Sequence, residues 1–189
     1  MTDYGITREE AYELVRAHLL NQHLVNHSLA AEAVLRAVAE ELGEDIDKWG
    51  LTGLLHDLDA ESHPDLDTHT TGTAEILNDR GVDAEIVEAI CLHNPQAHPG
   101  AMRSKPLHYG LAAGETVTGL IVAAALVNPE KKLAAVKPKS VRKRFKEKAF
   151  ARGADRAIIA ECELIGIDVP HFCELSLTAM QRIADDIGL

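Results

Sequence analysis

Aromatic side chains are scarce in this sequence, since Trp, Tyr and Phe make up only 4 % of its 189 residues. Strands favour aromatic and β-branched residues, whereas a chain rich in Ala and Leu favours helices. No segment alternates apolar and polar residues between hairpin turns, which argues against a β-sheet fold. With 46 % hydrophobic residues, the chain has the composition of a globular protein. We therefore predict an all-α fold, a compact multi-helix bundle.

Cysteines are few as well, and Cys91, Cys162 and Cys173 match no disulfide or zinc spacing. Each lies in an apolar helical pattern, so we predict reduced thiols in the core. The N-terminal sequence has neither the basic start nor the apolar stretch of a signal peptide. The longest weakly polar run, 111–127, is short for a membrane span and contains Glu115. These features predict a cytoplasmic protein with no membrane partner.

Basic residues are also few. The sequence has 19 Lys and Arg against 30 Asp and Glu, so the net charge is −11. Such a chain has no general attraction to nucleic acid, and we expect none as a partner. The exception is 131–156, which holds 11 of the 19 basic residues and two acidic ones, a local charge of about +9. Either this segment is a helix with a solvated basic face, or it attracts a phosphorylated ligand through Lys139, Arg142 and Lys143.

Capping signals and apolar periodicity divide the chain into helices. Thr7 stands three residues before Glu10, a capping-box pattern that predicts the start of a first helix. A second helix is predicted to begin with Asn26 as its N-cap and to end at Gly43. Helical spacing of apolar residues predicts seven more helices, over 47–59, 70–80, 83–93, 106–127, 139–150, 155–165 and 170–187. No internal repeat or linker is visible, so we expect one domain.

Some charged and polar residues lie where these helices should be buried. Glu115 is the only Asp, Glu, Lys or Arg between Lys105 and Glu130. A carboxylate in such a helix must be paired, for example with a buried arginine, or must bind a cation. His56 and Asp57 raise the same question in "LTGLLHDLDAES", near a helix end.

Three further histidines, His27, His69 and His93, also fall near predicted helix ends. Together with His56 and the two carboxylates Asp57 and Glu115 they form a nitrogen and oxygen ligand set, which suits Mn, Fe, Ni, Zn or Mg better than a thiolate site would. The alternative is that His69 and His93 are ordinary surface or capping histidines.

The order His27, then His56 and Asp57, then Glu115 resembles that of the HD-domain metal-dependent phosphohydrolases, which is His, His-Asp, Asp. "HTTGTAEIL" followed by "AICLHN" is similar to the segment in HDIG-type members where further histidines hold a second metal. The resemblance covers about 20–128, and the remainder is similar to short, stand-alone microbial members. It implies a single HD domain over 1–189, with the metal-binding core at about 20–128 and a basic helix and C-terminal helices at about 129–189.

The resemblance also implies a ligand set and a chemistry. One divalent metal is expected, and two are possible, the metal being Mn, Fe, Ni, Co, Zn or Mg. Asp57 would hold an activated water, while His69 and His93 would bind the second metal or orient phosphate and proton transfers. The expected ligands of the first metal are His27, His56, Asp57 and Glu115.

The chain departs from the family pattern at several positions. Glu115 replaces the usual Asp, and Asn94 stands where two-metal relatives often have a second His. Residues 58–60 are Leu, Asp and Ala, where HDIG-type members often have Ile, Gly and a phosphate-contacting Lys. A phosphate contact is therefore expected from elsewhere, with Arg103, Lys105 and the basic segment as candidates.

Three functions remain open from the sequence. The first is hydrolysis of a phosphomonoester or phosphodiester of a nucleotide or related small metabolite. The second is a catalytically degenerate HD module that binds a metal and a nucleotide and regulates a partner. The third is nucleic-acid binding through 131–156, which no helix-turn-helix or aromatic-interleaved pattern supports. Of the remaining histidines, His63 and His98 are expected nearest the mouth of the site.

Overall fold

The computed structural model describes residues 4–189, and over this range the chain forms nine α-helices and no strand. The all-α prediction is confirmed. Three short 3₁₀ segments cover Pro95–Ala97, Leu133–Ala135 and Ala160–Ile165. The helices are α1 (Arg8–His18), α2 (Gln22–Leu42), α3 (Ile46–Leu55), α4 (Thr71–Asp79), α5 (Ala84–His93), α6 (Pro106–Leu126), α7 (Pro138–Lys146), α8 (Arg156–Ile159) and α9 (Val169–Arg182).

Three caps were predicted for the first two helices, of which two are confirmed and one is wrong. Thr7 and Glu10 form the capping box of α1, and Gly43 ends α2 in the left-handed conformation with φ 71°. The N-cap of α2 is Asn21 and not Asn26, because the Asn21 side chain accepts the N–H of His23 one turn earlier. Asn26 lies within the helix and donates to the carbonyl of Ile187.

The C-terminal helices are shorter than predicted, and α7 ends at Lys146 instead of residue 150. The cause is Arg156, whose guanidinium donates to the carbonyls of Phe145, Phe150 and Ala151 and thereby folds the chain after α7 into a tight loop. The predicted helix 155–165 accordingly divides into α8 and the 3₁₀ segment Ala160–Ile165.

Helix α6 occupies the centre of the fold and packs against α2, α5 and the segment Ala160–Ile165. Its side chains Leu111, Val117 and Leu120 are fully buried. By length and composition this helix is apolar enough to cross a membrane, but 67 % of the relevant window is buried inside the fold. That burial is what the central helix of a bundle shows.

Helices α2 and α3 lie at backbone contact distance. A Cβ on Gly53 would come within 2.7 Å of the carbonyl oxygen of Ala31, so only glycine permits this approach. Because His27 belongs to α2 and His56 directly follows α3, the close contact sets the separation of the two imidazoles.

The three cysteines are free, and Cys162 and Cys173 are buried as predicted, whereas Cys91 is only half-buried. Burial raises the pKa of Cys162 to about 12 and that of Cys173 to about 11. Both are therefore protonated thiols at neutral pH and behave as core residues.

Candidate metal centre

Four histidines and one aspartate meet at one end of the central helices. His27 comes from the second turn of α2, and His56 and Asp57 directly follow α3. His69 lies two residues before α4, and His93 is the last residue of α5. The structure therefore brings together five of the six residues that the sequence singled out as a nitrogen and oxygen ligand set, and the sixth, Glu115, lies beside them.

Asp57 lies between the four imidazoles. Its Oδ1 is 3.1 Å from the Nε2 of His69, 3.4 Å from that of His56 and 3.6 Å from that of His93. Its Oδ2 is 3.6 Å from the Nε2 of His27. Two groups of donor atoms result, and they share Asp57: the His27–His56 half-site and the His69–His93 half-site.

Backbone carbonyls fix the orientation of two of the rings. The Nδ1 of His56 is 2.8 Å from the carbonyl oxygen of Gly53, and the Nδ1 of His93 is 2.7 Å from that of Ile90. A carbonyl oxygen only accepts, so Nδ1 carries the hydrogen in both rings. The other nitrogen of each ring, Nε2, is therefore directed into the centre.

Side chains fix the other two rings in the same sense. The Nδ1 of His27 is 3.0 Å from the hydroxyl of Thr118, whose own hydrogen is donated to the carbonyl of Glu115. This hydroxyl can therefore only accept from His27. The Nδ1 of His69 lies 3.0 Å from Oδ1 of Asp59, an ion-pair contact that favours an N–H over a lone pair on this nitrogen. All four rings thus direct Nε2 towards Asp57.

This arrangement fits a divalent metal. The Nε2 atoms of His27 and His56 are 3.1 Å apart, and those of His69 and His93 are 3.2 Å apart. Two lone pairs at this distance repel each other unless a proton or a cation lies between them. Imidazole nitrogens with a carboxylate, each ring held by a hydrogen bond on its other nitrogen, are the donor set of a transition-metal site.

The pKa values indicate which side chains of the centre carry charge in the absence of a metal. Burial lowers the pKa of His56 to about 3, so this ring is neutral. Burial also lowers the pKa of His69, but its contacts with Asp57 and Asp59 outweigh that effect and raise it to about 10. Although burial opposes its charge, Asp57 has a pKa well below the usual range because of His56, His69 and His93. A proton on His69 thus supplies part of the positive charge that the centre requires.

Glu115 lies beside the His27–His56 half-site. Its Oε2 is 3.8 Å from the Nε2 of His27, and its Oε1 accepts a hydrogen bond from Thr116. Burial raises the pKa of its carboxyl group. Neither contact is with the buried arginine that was the alternative to cation binding. Because its oxygen stands outside the two groups of converging donor atoms, its role as the fourth ligand stays a prediction.

Sequence reasoning missed the part that Asp59 plays. Its side chain is 1 % exposed, and its Oδ2 accepts the backbone N–H groups of Gly72 and Thr73 at the start of α4. From the sequence, Asp59 stood out only as a departure from the family motif. The signal that could have found it is a second carboxylate two residues after Asp57 in an apolar stretch.

The segment around His69 is held in a strained conformation. Thr70 is fully buried and has φ 85°, which a β-branched residue rarely adopts. Such strain costs about 1–3 kcal/mol and persists only where neighbouring contacts impose it. Here Asn94 imposes it, because its amide donates to the carbonyls of Leu66 and His69. Asn94 thus orders the loop that carries a candidate ligand.

The two histidines expected near the mouth lie beside the centre. The Nε2 of His98 is 2.7 Å from the hydroxyl of Thr70, and the Nδ1 of His63 is 3.9 Å from Asp59. His63 is 40 % exposed, so it faces solvent from the edge of the site.

The basic residues predicted to contact phosphate are in contact with other groups of the protein. Arg103 donates both to the carboxylate of Glu161 and to the carbonyl of Leu92, and the ammonium group of Lys105 lies against Glu88. Three further candidates lie on α7 and line an open, mainly apolar groove of about 630 Å³. None of the contacts found for them among residues 4–189 involves the histidine cluster, so their role in substrate binding stays a prediction. They are Lys139, Arg142 and Lys143.

Comparison with protein families agrees with the all-α fold. A family model described as HD domain matches residues 24–136, which is more than half of the chain. The chain belongs to the HD-domain family. Its fold and its histidine and aspartate cluster are of the metal-dependent phosphohydrolase type.

Three relatives that are similar in sequence carry the name Ribonuclease Y. Ribonuclease Y of Thermotoga maritima is 32 % identical over 172 residues, which cover 88 % of this chain and 33 % of the relative. Ribonuclease Y of Thermosipho melanesiensis is 34 % identical over 79 residues, 41 % of this chain and 16 % of the relative. Ribonuclease Y of Nitratidesulfovibrio vulgaris is 35 % identical over 80 residues, 42 % and 15 % respectively. The chain thus spans at most about a third of the length of these relatives.

Proposed function

We propose that the protein is a metal-dependent phosphohydrolase that adds water to the phosphorus of a phosphate ester of a nucleotide or a related small metabolite. The observation that supports this proposal is the convergence of four Nε2 atoms on Asp57. In the reaction, the hydroxyl of a water bonds to phosphorus, the ester P–O bond breaks, and a proton reaches the departing alcohol.

The side chains divide this task between binding and orientation. Divalent cations in the centre would polarise a phosphoryl oxygen and lower the pKa of a bound water. Asp57, which is anionic at neutral pH, would hold a cation together with the histidines of either half-site. Gly53, Ile90, Thr118 and Asp59 hold the four rings, so little reorganisation is required when the substrate arrives.

A small substrate is our first choice because the chain as a whole is acidic. A net charge of −11 opposes the approach of a long polyanion, whereas a single phosphate group needs only the local field of the centre.

RNA is the second candidate, and the relatives favour it. The proteins that cover 88 % of this chain at 32 % identity are named Ribonuclease Y. Residues 131–156, with a local charge of about +9, offer a surface for a phosphodiester backbone. If RNA is the substrate, the original expectation of no nucleic-acid partner is wrong.

A hydrolysis assay separates these alternatives from each other and from a degenerate binding module. Metal-free protein would be reloaded with Mn, Co, Ni, Zn or Mg and given bis-p-nitrophenyl phosphate, 5′-mononucleotides, dinucleotides and a labelled RNA oligomer. We expect metal-dependent release of product that Asp57→Asn abolishes and His18→Ala, at an exposed histidine on α1, leaves unchanged. Turnover of RNA without turnover of small esters would favour the second candidate. Metal binding with no turnover of any substrate would contradict the proposal and leave the degenerate module.

A further inference from the structure

Asp59 is a buried carboxylate that contacts the metal centre without belonging to either half-site. Its two oxygens are used in different directions. Oδ2 is 3.0 Å from the N–H of Gly72 and 3.2 Å from that of Thr73, both at the N-terminus of α4. Oδ1 is 3.0 Å from Nδ1 of His69.

We propose that Asp59 is a positioning residue that fixes the tautomer of His69 and thereby determines whether the His69–His93 half-site binds a second metal. The inference rests on the metal centre of the proposed function. It assigns to Asp59 no contact with the substrate and no role as a ligand.

The structure requires acceptors on both sides of the Asp59 side chain. The two N–H groups of α4 can only donate, so one oxygen must face them. Nδ1 of His69 must also carry a hydrogen if Nε2 is to offer its lone pair to a metal. Only a carboxylate offers acceptors in both directions, because an amide has one acceptor and one donor.

Replacing Asp59 with Asn would therefore reverse the polarity towards His69. The amide oxygen is held by Gly72 and Thr73, so the amide nitrogen would face His69 and donate to its Nδ1. The ring hydrogen would move to Nε2, where it occupies the position of the metal. The shape of the side chain and the acceptor for α4 are retained.

The effect should be confined to one half of the centre. His27 is oriented by Thr118 and His56 by Gly53, and the contacts found for these rings in residues 4–189 do not include Asp59. The two half-sites share only Asp57. A change at Asp59 should therefore weaken one metal-binding event and spare the other.

The test is a calorimetric titration of Zn²⁺ into metal-free wild-type protein and Asp59→Asn. The wild type should show two binding events, and the variant should retain one of them while the other weakens about 10–100-fold. Asp168→Asn is the matched control, since Asp168 also accepts an N–H at a helix start, that of His171 on α9. This control should bind both metals like the wild type.

Ring ¹⁵N NMR gives a readout that a merely structural role would not change. In the Zn²⁺-loaded wild type the hydrogen of His69 should reside on Nδ1, and in the neutral, metal-free variant it should reside on Nε2. A wild type with only one binding event, equal weakening of both events, or an unchanged tautomer would overturn the inference. Two binding events without hydrolysis would instead contradict only the proposed function.

Discussion

Asp57 is the residue that both halves of the metal centre share. It follows His56 in an apolar stretch, and its carboxylate is surrounded by the Nε2 atoms of four histidines. A buried carboxylate is costly unless it is paired, and here four imidazoles from four parts of the chain, one buried and three partly buried, surround it. One carboxylate shared by two pairs of imidazole nitrogens is an arrangement that could bind one or two cations.

Glu115 gives the first prediction at the residue scale. Glu115→Asp should retain most of the affinity for the metal, because it keeps an anionic oxygen and restores the residue usual in the family. Glu115→Gln should lose at least about tenfold, since it keeps the size but removes charge that compensates the cation. Competition with a chelator measures both affinities. If Gln retains metal as well as Asp does, Glu115 is a packing residue and not a ligand.

The pKa of His69 gives the second prediction. In the metal-free protein this pKa is about 10, since the contacts with Asp57 and Asp59 outweigh burial, so the ring is protonated at pH 7. A metal at Nε2 must displace that proton, and affinity for the second metal should rise up to about tenfold per pH unit until pH approaches 10.

Calorimetry in two buffers of different ionisation enthalpy measures the protons released at pH 7. We expect about one proton for the second binding event. Binding that releases none, and whose affinity is the same at pH 6.5 and 8.5, would show that His69 is not a ligand.

At the scale of the elements, the centre depends on how closely α2 and α3 approach. Gly53 serves twice, because its missing Cβ admits the backbone of Ala31 and its carbonyl accepts from Nδ1 of His56. The packing of two helices and the orientation of one candidate ligand are therefore coupled through one residue.

Gly53→Ala tests this coupling. Ala is the better helix former, which alone would stabilise by about 1 kcal/mol. Its Cβ would, however, lie 2.7 Å from the Ala31 carbonyl oxygen, and moving the two helices apart should destabilise by about 1–3 kcal/mol net. Denaturant unfolding measures the change, and metal affinity should fall with it.

The matched control is Gly119→Ala on α6, where an added Cβ meets nothing within 4 Å. It should stabilise by about 0.5–1 kcal/mol and leave metal binding unchanged. Equal effects of the two substitutions would show that the α2–α3 contact does not constrain the centre.

Most of the elements and most residues of the candidate centre could be predicted from sequence because their signals are local. Periodicity located the helices, polar residues in an apolar stretch indicated His56 and Asp57, and predicted helix ends indicated the other three histidines. What failed depended on contacts that are distant in sequence. Arg156 shortens α7 through carbonyls up to 12 residues away, and Asp59 acts through the start of α4, 13 residues later. The predicted cap Asn26 was wrong because the local sequence does not distinguish two asparagines five residues apart.

At the scale of the whole molecule, charge is separated between an acidic body and the basic segment 131–156. Most of the basic side chains of this segment are exposed, and only a few acidic partners face them, such as Glu147 and Glu174. Exposed charges act over about 8–10 Å near physiological salt. Their contribution to function should therefore be to capture an anionic substrate, with no role in the chemical step.

The corresponding prediction concerns charge reversal of Lys139, Arg142 and Lys143 to Glu. At low salt kcat/KM for the active phosphate ester should fall several-fold while kcat changes little, and added salt should remove the difference. The control reverses three exposed arginines outside the segment, with the same change in net charge: Arg16, Arg80 and Arg182. An unchanged kcat/KM at low salt, with the helical circular dichroism intact, would leave a basic face that serves only solubility.

The most direct measurement is the metal content of protein purified without chelator. Elemental analysis of the wild type should find between one and two divalent ions per chain, held by the cluster around Asp57. His56→Ala should lose the metal of the His27–His56 half-site, because its Nε2 is one of the donor atoms there, and His18→Ala should keep the full content. A wild type without bound metal that also takes up none on reloading, or a His56→Ala variant with full occupancy, would contradict the assignment of these histidines as a metal centre.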